Sequence, residues 1–330
     1  MSKLYHLMES WSKVMEPGNT PPVDIFPFLH WVPERLFGNW RSRASFVRDE
    51  MNALYSAQVE RVRARRASGE RKESFMDAVL EQNEKLTLSP HELAFLGGVM
   101  MEGGSDTSSA TIISFLQAMT RWPAYQLTAQ AQIDVVVPED RSPQWAQDYD
   151  ALPYVAQIVK ESMRWRPVVP LAFPHAAAQD DEIDGFRIPK GSAVILNGWG
   201  MQHDAARFAH PEIFDPAHYA GFTRPASALA LEADPAKRDH YGYGSGRRLC
   251  PGIHLGERNL WVGIAKLLWA FEICAVEGEM PDTDAVTGYC EGFLVCAKDF
   301  KCRIRVRSEE RRKTIVREFE EAKKVFARFE

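Results

Sequence analysis

No stretch of the 330 residues approaches the run of about 18 apolar residues needed to cross a bilayer. The opening Met1-Ser2-Lys3-Leu4-Tyr5-His6 has the pattern of neither a signal sequence nor a transit peptide. Cysteine is sparse. Cys250, Cys274, Cys290, Cys296 and Cys302 are an odd set of five, without a CxxC pair or a His/Cys cluster of zinc-binding spacing. This excludes a disulfide framework and a zinc module, and it leaves reduced thiols that pack, as expected in a cytosol-facing protein. A net charge of −5 gives no reason to expect nucleic acid as a partner. Repeats and low-complexity tracts are missing too. With 45% hydrophobic and 26% charged residues the composition is that of an ordinary globular chain, enough for one large domain or two small ones.

What is present is organised around Tyr243-Gly244-Ser245-Gly246-Arg247-Arg248-Leu249-Cys250-Pro251-Gly252, which leads into an apolar helical run from Ile253 to Phe271. Each part has a use if Cys250 is a thiolate ligand to iron. Gly244, Gly246 and Gly252 permit positive φ and close approach to a flat cofactor. The start of a helix supplies unpaired N–H donors and a positive dipole end, surroundings that favour the thiolate. Arg247 and Arg248 supply cation for that charge or for carboxylates on a cofactor rim.

A second feature lies upstream. Ser89-Pro90-His91-Glu92 reads as a capping box with proline at the first helical position, and Pro123 is the next stop. This predicts a helix over about 90–122, long enough to cross a domain. In its middle sits Gly103-Gly104-Ser105-Asp106-Thr107-Ser108. Two glycines inside a helix cost roughly 1 kcal/mol each against alanine, and close approach of a flat cofactor would justify them. Asp106 is an ionisable group suited to proton delivery, and Thr107 can bond back to a carbonyl one turn earlier and bend the helix.

From Pro174 onward short strands enter the remaining pattern, which is helical before it. An apolar, proline-stiffened loop (Pro17 to Pro33) is either a core-packing loop or a lid or membrane-contact segment. Residues 40–67 read as an amphipathic helix whose basic run, Arg61 to Arg66, is a solvated face. Further helices are expected over 123–136 and 154–165, the latter carrying Glu161 and Arg164 on one face. Short strands are expected at 174–178, 186–188 and 193–196, then around 272–276, 293–296 and 301–306. Residues 309–330 form a charged amphipathic helix with an apolar stripe at Ile315, Phe319, Ala322, Phe326 and Phe329, free to dock on its own domain or on a partner.

The cysteine loop resembles the haem-binding loop of the cytochrome P-450 family. The match is aromatic, two residues, Gly, one residue, Arg, one residue, Cys, one residue, Gly, with Gly246, Arg248, Cys250 and Gly252 in register. Residues 103–107 resemble the family's oxygen-binding groove, and Glu161-x-x-Arg164 its structural helix motif. The resemblance implies a mainly α fold with small β-sheets. It implies a partial catalytic domain over 1–308, corresponding to the C-terminal two-thirds of the family fold, followed by the 309–330 helix. It further implies heme b (iron protoporphyrin IX) with Cys250 as the metal ligand. Gly103, Gly104, His175, Tyr243, Gly246, Arg248 and Gly252 would lie around it, and Asp106 and Thr107 would act as the proton relay. The implied activity is oxygen insertion into a small apolar molecule, with electrons from an NADPH-dependent reductase flavoprotein docking near Arg247, Lys237, Arg238 and Lys266, at the cytosolic face of the endoplasmic reticulum.

Two positions depart from the pattern. Tyr243 replaces the usual Phe, so a hydroxyl must find a partner. His218, in Phe214-Asp215-Pro216-Ala217-His218-Tyr219, stands where an arginine normally joins Glu161 and Arg164, and a neutral imidazole would not serve as a fixed cation. The family's N-terminal portion has no counterpart in these residues. The strands at 175–196 are therefore expected to lack sheet partners, and this polypeptide alone to bind haem poorly or not at all. The alternatives to an oxygen-using enzyme are a peroxide-driven or isomerising haem-thiolate catalyst, and a non-catalytic relic or interaction protein.

Overall fold

The computed structural model describes residues 2–16, 18–23 and 26–328. Its helices, in chain order, are α1 (Ser2–Met15), α2 (Trp40–Ala67), α3 (Phe75–Leu86), α4 (Pro90–Arg121), α5 (Pro123–Val136), α6 (Trp145–Asp148), α7 (Pro153–Trp165), α8 (Gly198–Gln202), α9 (Ala226–Leu229), α10 (Ile253–Ala270) and α11 (Glu309–Phe326). The strands are β1 (His175–Ala176), β2 (Asp181–Ile183), β3 (Phe186–Ile188), β4 (Ala193–Val194), β5 (Phe271–Ala275) and β6 (Cys302–Val306). They pair antiparallel as β1–β4, β2–β3 and β5–β6. The chain divides into two compact units: Met1–Asp106 with Glu291–Phe293 and Phe319–Glu330, and Thr107–Cys290 with Leu294–Glu318. Among the described residues no helix is long and apolar enough to cross a membrane.

In the first unit α1, α2, α3 and the start of α4 meet over Leu7, Val47, Met51, Tyr55, Val59 and Ala94. The expected capping box opens α4: Ser89 N–H donates to Glu92 at 2.8 Å and Glu92 N–H to Ser89 Oγ at 3.3 Å. Gly98 is required by packing, since a Cβ there would lie 2.3 Å from the Tyr55 ring. The basic run on α2 is only partly a solvated face. Arg65 (2.7 Å) and Arg66 (3.2 Å) are drawn onto buried Asp77, which also closes the capping box of α3. The described part of the apolar loop after α1 is split: Pro21 and Val23 are buried, whereas Phe26, Phe28 and Trp31 are exposed, Trp31 at 90%.

The second unit holds the larger core, built from the C-terminal half of α4 with α5, α7, α10 and β5. Within it Trp122 stacks on Phe214, and Trp165 meets both rings edge-on. Two buried glutamines of α5 tie the α10–β5 junction. Gln126 accepts from Ile273 N–H (2.8 Å) and donates to Ile273 O (3.1 Å), and Gln130 donates to the carbonyls of Leu268 and Phe271. Among the described residues the strands β1 to β4 pair only with one another and, Ile188 apart, are exposed. The run expected as a strand at 293–296 is a turn next to a single bridge, Tyr289↔Ala297. The first turns of α11 dock on their own unit. Arg311 reaches Asp134 (2.8 Å), Thr314 donates to Glu139 O (2.7 Å), Glu318 accepts from Ser142, and Ile315 joins the core. Phe329 lies outside the described residues.

Candidate functional site

The cysteine loop is closed by Cys250 N–H donating to Tyr243 O at 2.8 Å. Gly244 (φ 82°) and Gly246 (φ 64°) occupy the left-handed region, which only glycine takes without strain. Gly252 does not, contrary to expectation. It has φ −84° as the N-cap residue of α10, and it contributes no capping side chain. The first-turn N–H groups of α10 are thus left without a side-chain cap two residues after Cys250, which places the sulfur by the positive helix end. Cys250 is exposed, as are Arg247 and Arg248.

Tyr243 packs its ring on the core, but its buried hydroxyl finds no hydrogen-bond partner among the described residues. Burial, with the nearby carboxylate of Glu257, pushes its ionisation far above the ordinary range. Behind the loop, Lys160 Nζ meets Asp239 at 2.5 Å and Arg224 O at 3.0 Å, both charged groups being fully buried. Asp239 accepts in turn from His240 N–H. Burial pushes His240 down, and its Nδ1 accepts from Gly242 N–H at 3.1 Å.

Glu161 and Arg164 on α7 form a fully buried bidentate pair at 2.7 Å for both bonds. The remaining guanidinium N–H groups donate to the carbonyls of Gln202, Pro211 and Ile213. His218 completes this network despite replacing an arginine. Its Nδ1 lies 3.2 Å from Glu161 Oε1 and its Nε2 2.7 Å from Ala209 O. With an acceptor at each ring nitrogen, the form that donates from both is favoured. The bond to Glu161 raises the His218 pKa against the opposing effect of burial. The neutral imidazole anticipated from sequence is therefore replaced by a histidine set up to carry charge.

The α4 segment 103–108 is continuous helix. Gly103 and Gly104 are exposed, and a Cβ on either would meet nothing within 4 Å among the described residues. Asp106 is half-buried, its pKa raised by burial and partly restored by a hydrogen bond with Ser105. Thr107 is half-buried, and its carbonyl accepts from Thr111 Oγ1 at 3.0 Å. His175 is exposed on β1 opposite Val194.

Glu102 was missed from sequence. It stands one turn before Asp106, so the two carboxyls share a helix face. Burial pushes its pKa up to about 7, and Tyr55 OH donates to it. The i, i+4 spacing to Asp106 was the available signal. Among the described residues, no group of three or more His, Cys, Asp or Glu could hold a bare metal ion.

A cysteine loop opening a core helix, a buried Glu-x-x-Arg pair before it and, earlier still, a long helix with a glycine pair before Asp-Thr are the features on which the resemblance noted from sequence rests. The cytochrome P450 family profile matches residues 1–302, and the chain belongs to that family. The chain is 54% identical over its full length to the cytochrome P450 monooxygenase patI of Aspergillus clavatus and 53% identical to acuD of Aspergillus aculeatus. It spans 62% of the length of each. Among solved structures, a zebrafish cytochrome P450 with progesterone superposes at a TM-score of 0.71 over 93% of this chain and 64% of that one. At 20% identity that likeness bears on the fold alone.

Proposed function

We propose that this chain belongs to a haem-thiolate monooxygenase that inserts one oxygen atom of O2 into a small apolar organic substrate of secondary metabolism. The observation that carries the reading is the exposed Cys250 at the uncapped start of α10, in a chain that also bears the Asp106-Thr107 pair. The residues around Cys250 suit a haem: the sulfur is accessible and Arg248 is exposed to meet a carboxylate; heme b is the proposed form, with Gly103 and Gly104 of α4 as proposed further contacts. Bound haem would supply dioxygen activation, with the cysteine thiolate pushing electron density toward O–O cleavage.

The protein's own part is to hold and move protons. Asp106 and Glu102 are carboxyls whose proton affinity is raised by burial, and Thr107 follows Asp106 directly. His175 and Tyr243 complete the proposed cofactor contacts together with Gly246 and Gly252. Electrons would come from an NADPH-dependent reductase on the endoplasmic reticulum surface. Of the four cations considered for docking it, Arg247 and Lys237 are exposed, Lys266 is exposed but lies 3.7 Å from Glu318, and Arg238 is engaged internally with Glu232 O and Ser245.

Haem reconstitution tests the reading. The reduced carbon monoxide complex should show the Soret band of thiolate ligation, and Cys250→Ser should abolish it while leaving the circular dichroism spectrum unchanged. An unaltered Soret band in Cys250→Ser would overturn the assignment.

A further inference from the structure

Four of the five cysteines have no place in the proposed chemistry, and sequence gave them only a packing role. Two of them are in a different situation. Cys290 Sγ and Cys296 Sγ lie 3.3 Å apart. They face each other across an antiparallel turn: Lys298 N–H donates to Gly288 O and Cys290 N–H to Cys296 O, each at 2.9 Å, flanking the Tyr289↔Ala297 bridge. Residues directly opposed in this way sit with Cα atoms about 5.5 Å apart, inside the window of about 4.4–6.8 Å that a disulfide spans. Gly292, at φ 147°, allows the chain to reverse between them. Both side chains are half-buried, so a small reagent can reach them.

The remaining pair of neighbouring strand cysteines offers a contrast. Cys274 is opposite Arg303 and Cys302 opposite Ala275, so their side chains project from opposite faces of the β5–β6 ladder. Burial raises the pKa of both, which makes them poor nucleophiles.

We propose that Cys290 and Cys296 are a modification site: a dithiol that a hydroperoxide converts reversibly into an intrachain disulfide. Cys296 N–H donates to Cys290 Sγ at 3.1 Å, which marks Cys290 as the attacking sulfur. Its thiolate attacks one oxygen of hydrogen peroxide, the O–O bond breaks, and the departing hydroxide takes a proton and leaves as water. The Cys296 sulfur then attacks the Cys290 sulfenic acid. The S–S bond forms, the S–O bond breaks, and a second water leaves. In total two thiols and one peroxide give one disulfide and two waters, and a dithiol reductant reverses the change. The disulfide ties the ends of loop 291–295. Val295 N–H donates to Val168 O at 2.8 Å, so the segment leading into 169–173 is held through the same loop.

The test uses the full chain, reduced, desalted and treated with one equivalent of hydrogen peroxide, followed by alkylation and peptide mass mapping. The expected product is a Cys290–Cys296 cross-link, lighter by two hydrogens and reversed by dithiothreitol. Proximity should make it form about tenfold or more faster than any oxidation of Cys274 or Cys302. Hydrogen exchange of the Val295 amide should slow in the oxidised protein. Cys296→Ser should lose the cross-link and Cys274→Ser should keep it. Equal, independent alkylation of all cysteines after peroxide would overturn the proposal, as would cross-links scattered among other pairs. Mapping of the unmutated chain decides the matter even if a variant fails to fold.

Discussion

The buried network on α7 gives the sharpest test of how the fold is held. Glu161→Gln keeps the shape of the side chain and removes its charge. Glu161 Oε1 accepts from Arg164, from Asp215 N–H at 2.8 Å and from His218, while Oε2 accepts from Arg164 Nε. Glutamine has one acceptor oxygen for these four donors, and its amide must point N–H at N–H on one side. Arg164, fully buried, is then a cation held by carbonyls alone. Breaking one partner of a buried pair costs about 3–5 kcal/mol, a large part of a total stability of about 5–15 kcal/mol. Urea unfolding should report it, followed by tryptophan fluorescence of Trp165 at the end of the same helix. His218→Gln should cost less, about 1.5–3 kcal/mol for a hydrogen bond to a charged group. The double variant should be less destabilised than the sum, because both changes act on one carboxylate. The pH dependence has a definite sign. The folded pKa of His218 lies above its unfolded value, so its contribution is complete below about pH 6.5 and fades as pH rises through the raised folded value. His218→Arg should remove that fade. A Glu161→Gln loss under about 1 kcal/mol, the size of an ordinary neutral hydrogen bond, would refute the reasoning.

Two further outcomes follow from α4. Gly98→Ala should displace Tyr55, whose ring would be 2.3 Å from the new methyl; overpacking of this kind costs about 1–3 kcal/mol, read as a lowered thermal midpoint. Glu102 takes up a proton on folding between its ordinary range and about pH 7, so wild type loses stability as pH rises through that interval. Glu102→Gln should therefore gain on wild type at pH 8 relative to pH 5, and a carboxyl infrared band titrating near neutrality should vanish in the variant.

Sequence was most informative where the determinants are local. Ser89, Glu92 and Pro123 delimit α4 because capping and the missing proline N–H act within a few residues. The positive φ of Gly244 and Gly246 was legible for the same reason, a backbone demand met by one residue type. Where partners come from distant segments, the reading thinned. Arg65 and Arg66 look like any solvated basic run until Asp77 folds back onto them. The place of His218 beside Glu161 follows from the resemblance, but its second acceptor, the backbone carbonyl of Ala209 nine residues away, leaves no mark in the sequence. Glu102 reads as a polar helix residue until burial beside Tyr55 raises its proton affinity.

The glutamine clamp at the α10–β5 junction has a consequence beyond stability. By offering an acceptor and a donor to the two polar groups of Ile273, Gln126 behaves as a one-residue surrogate strand lying along β5. The ladder thus stops at two strands on that side, where an incoming chain would otherwise template its own backbone. A side chain on a helix, and not a third strand, covers the β5 edge at Ile273.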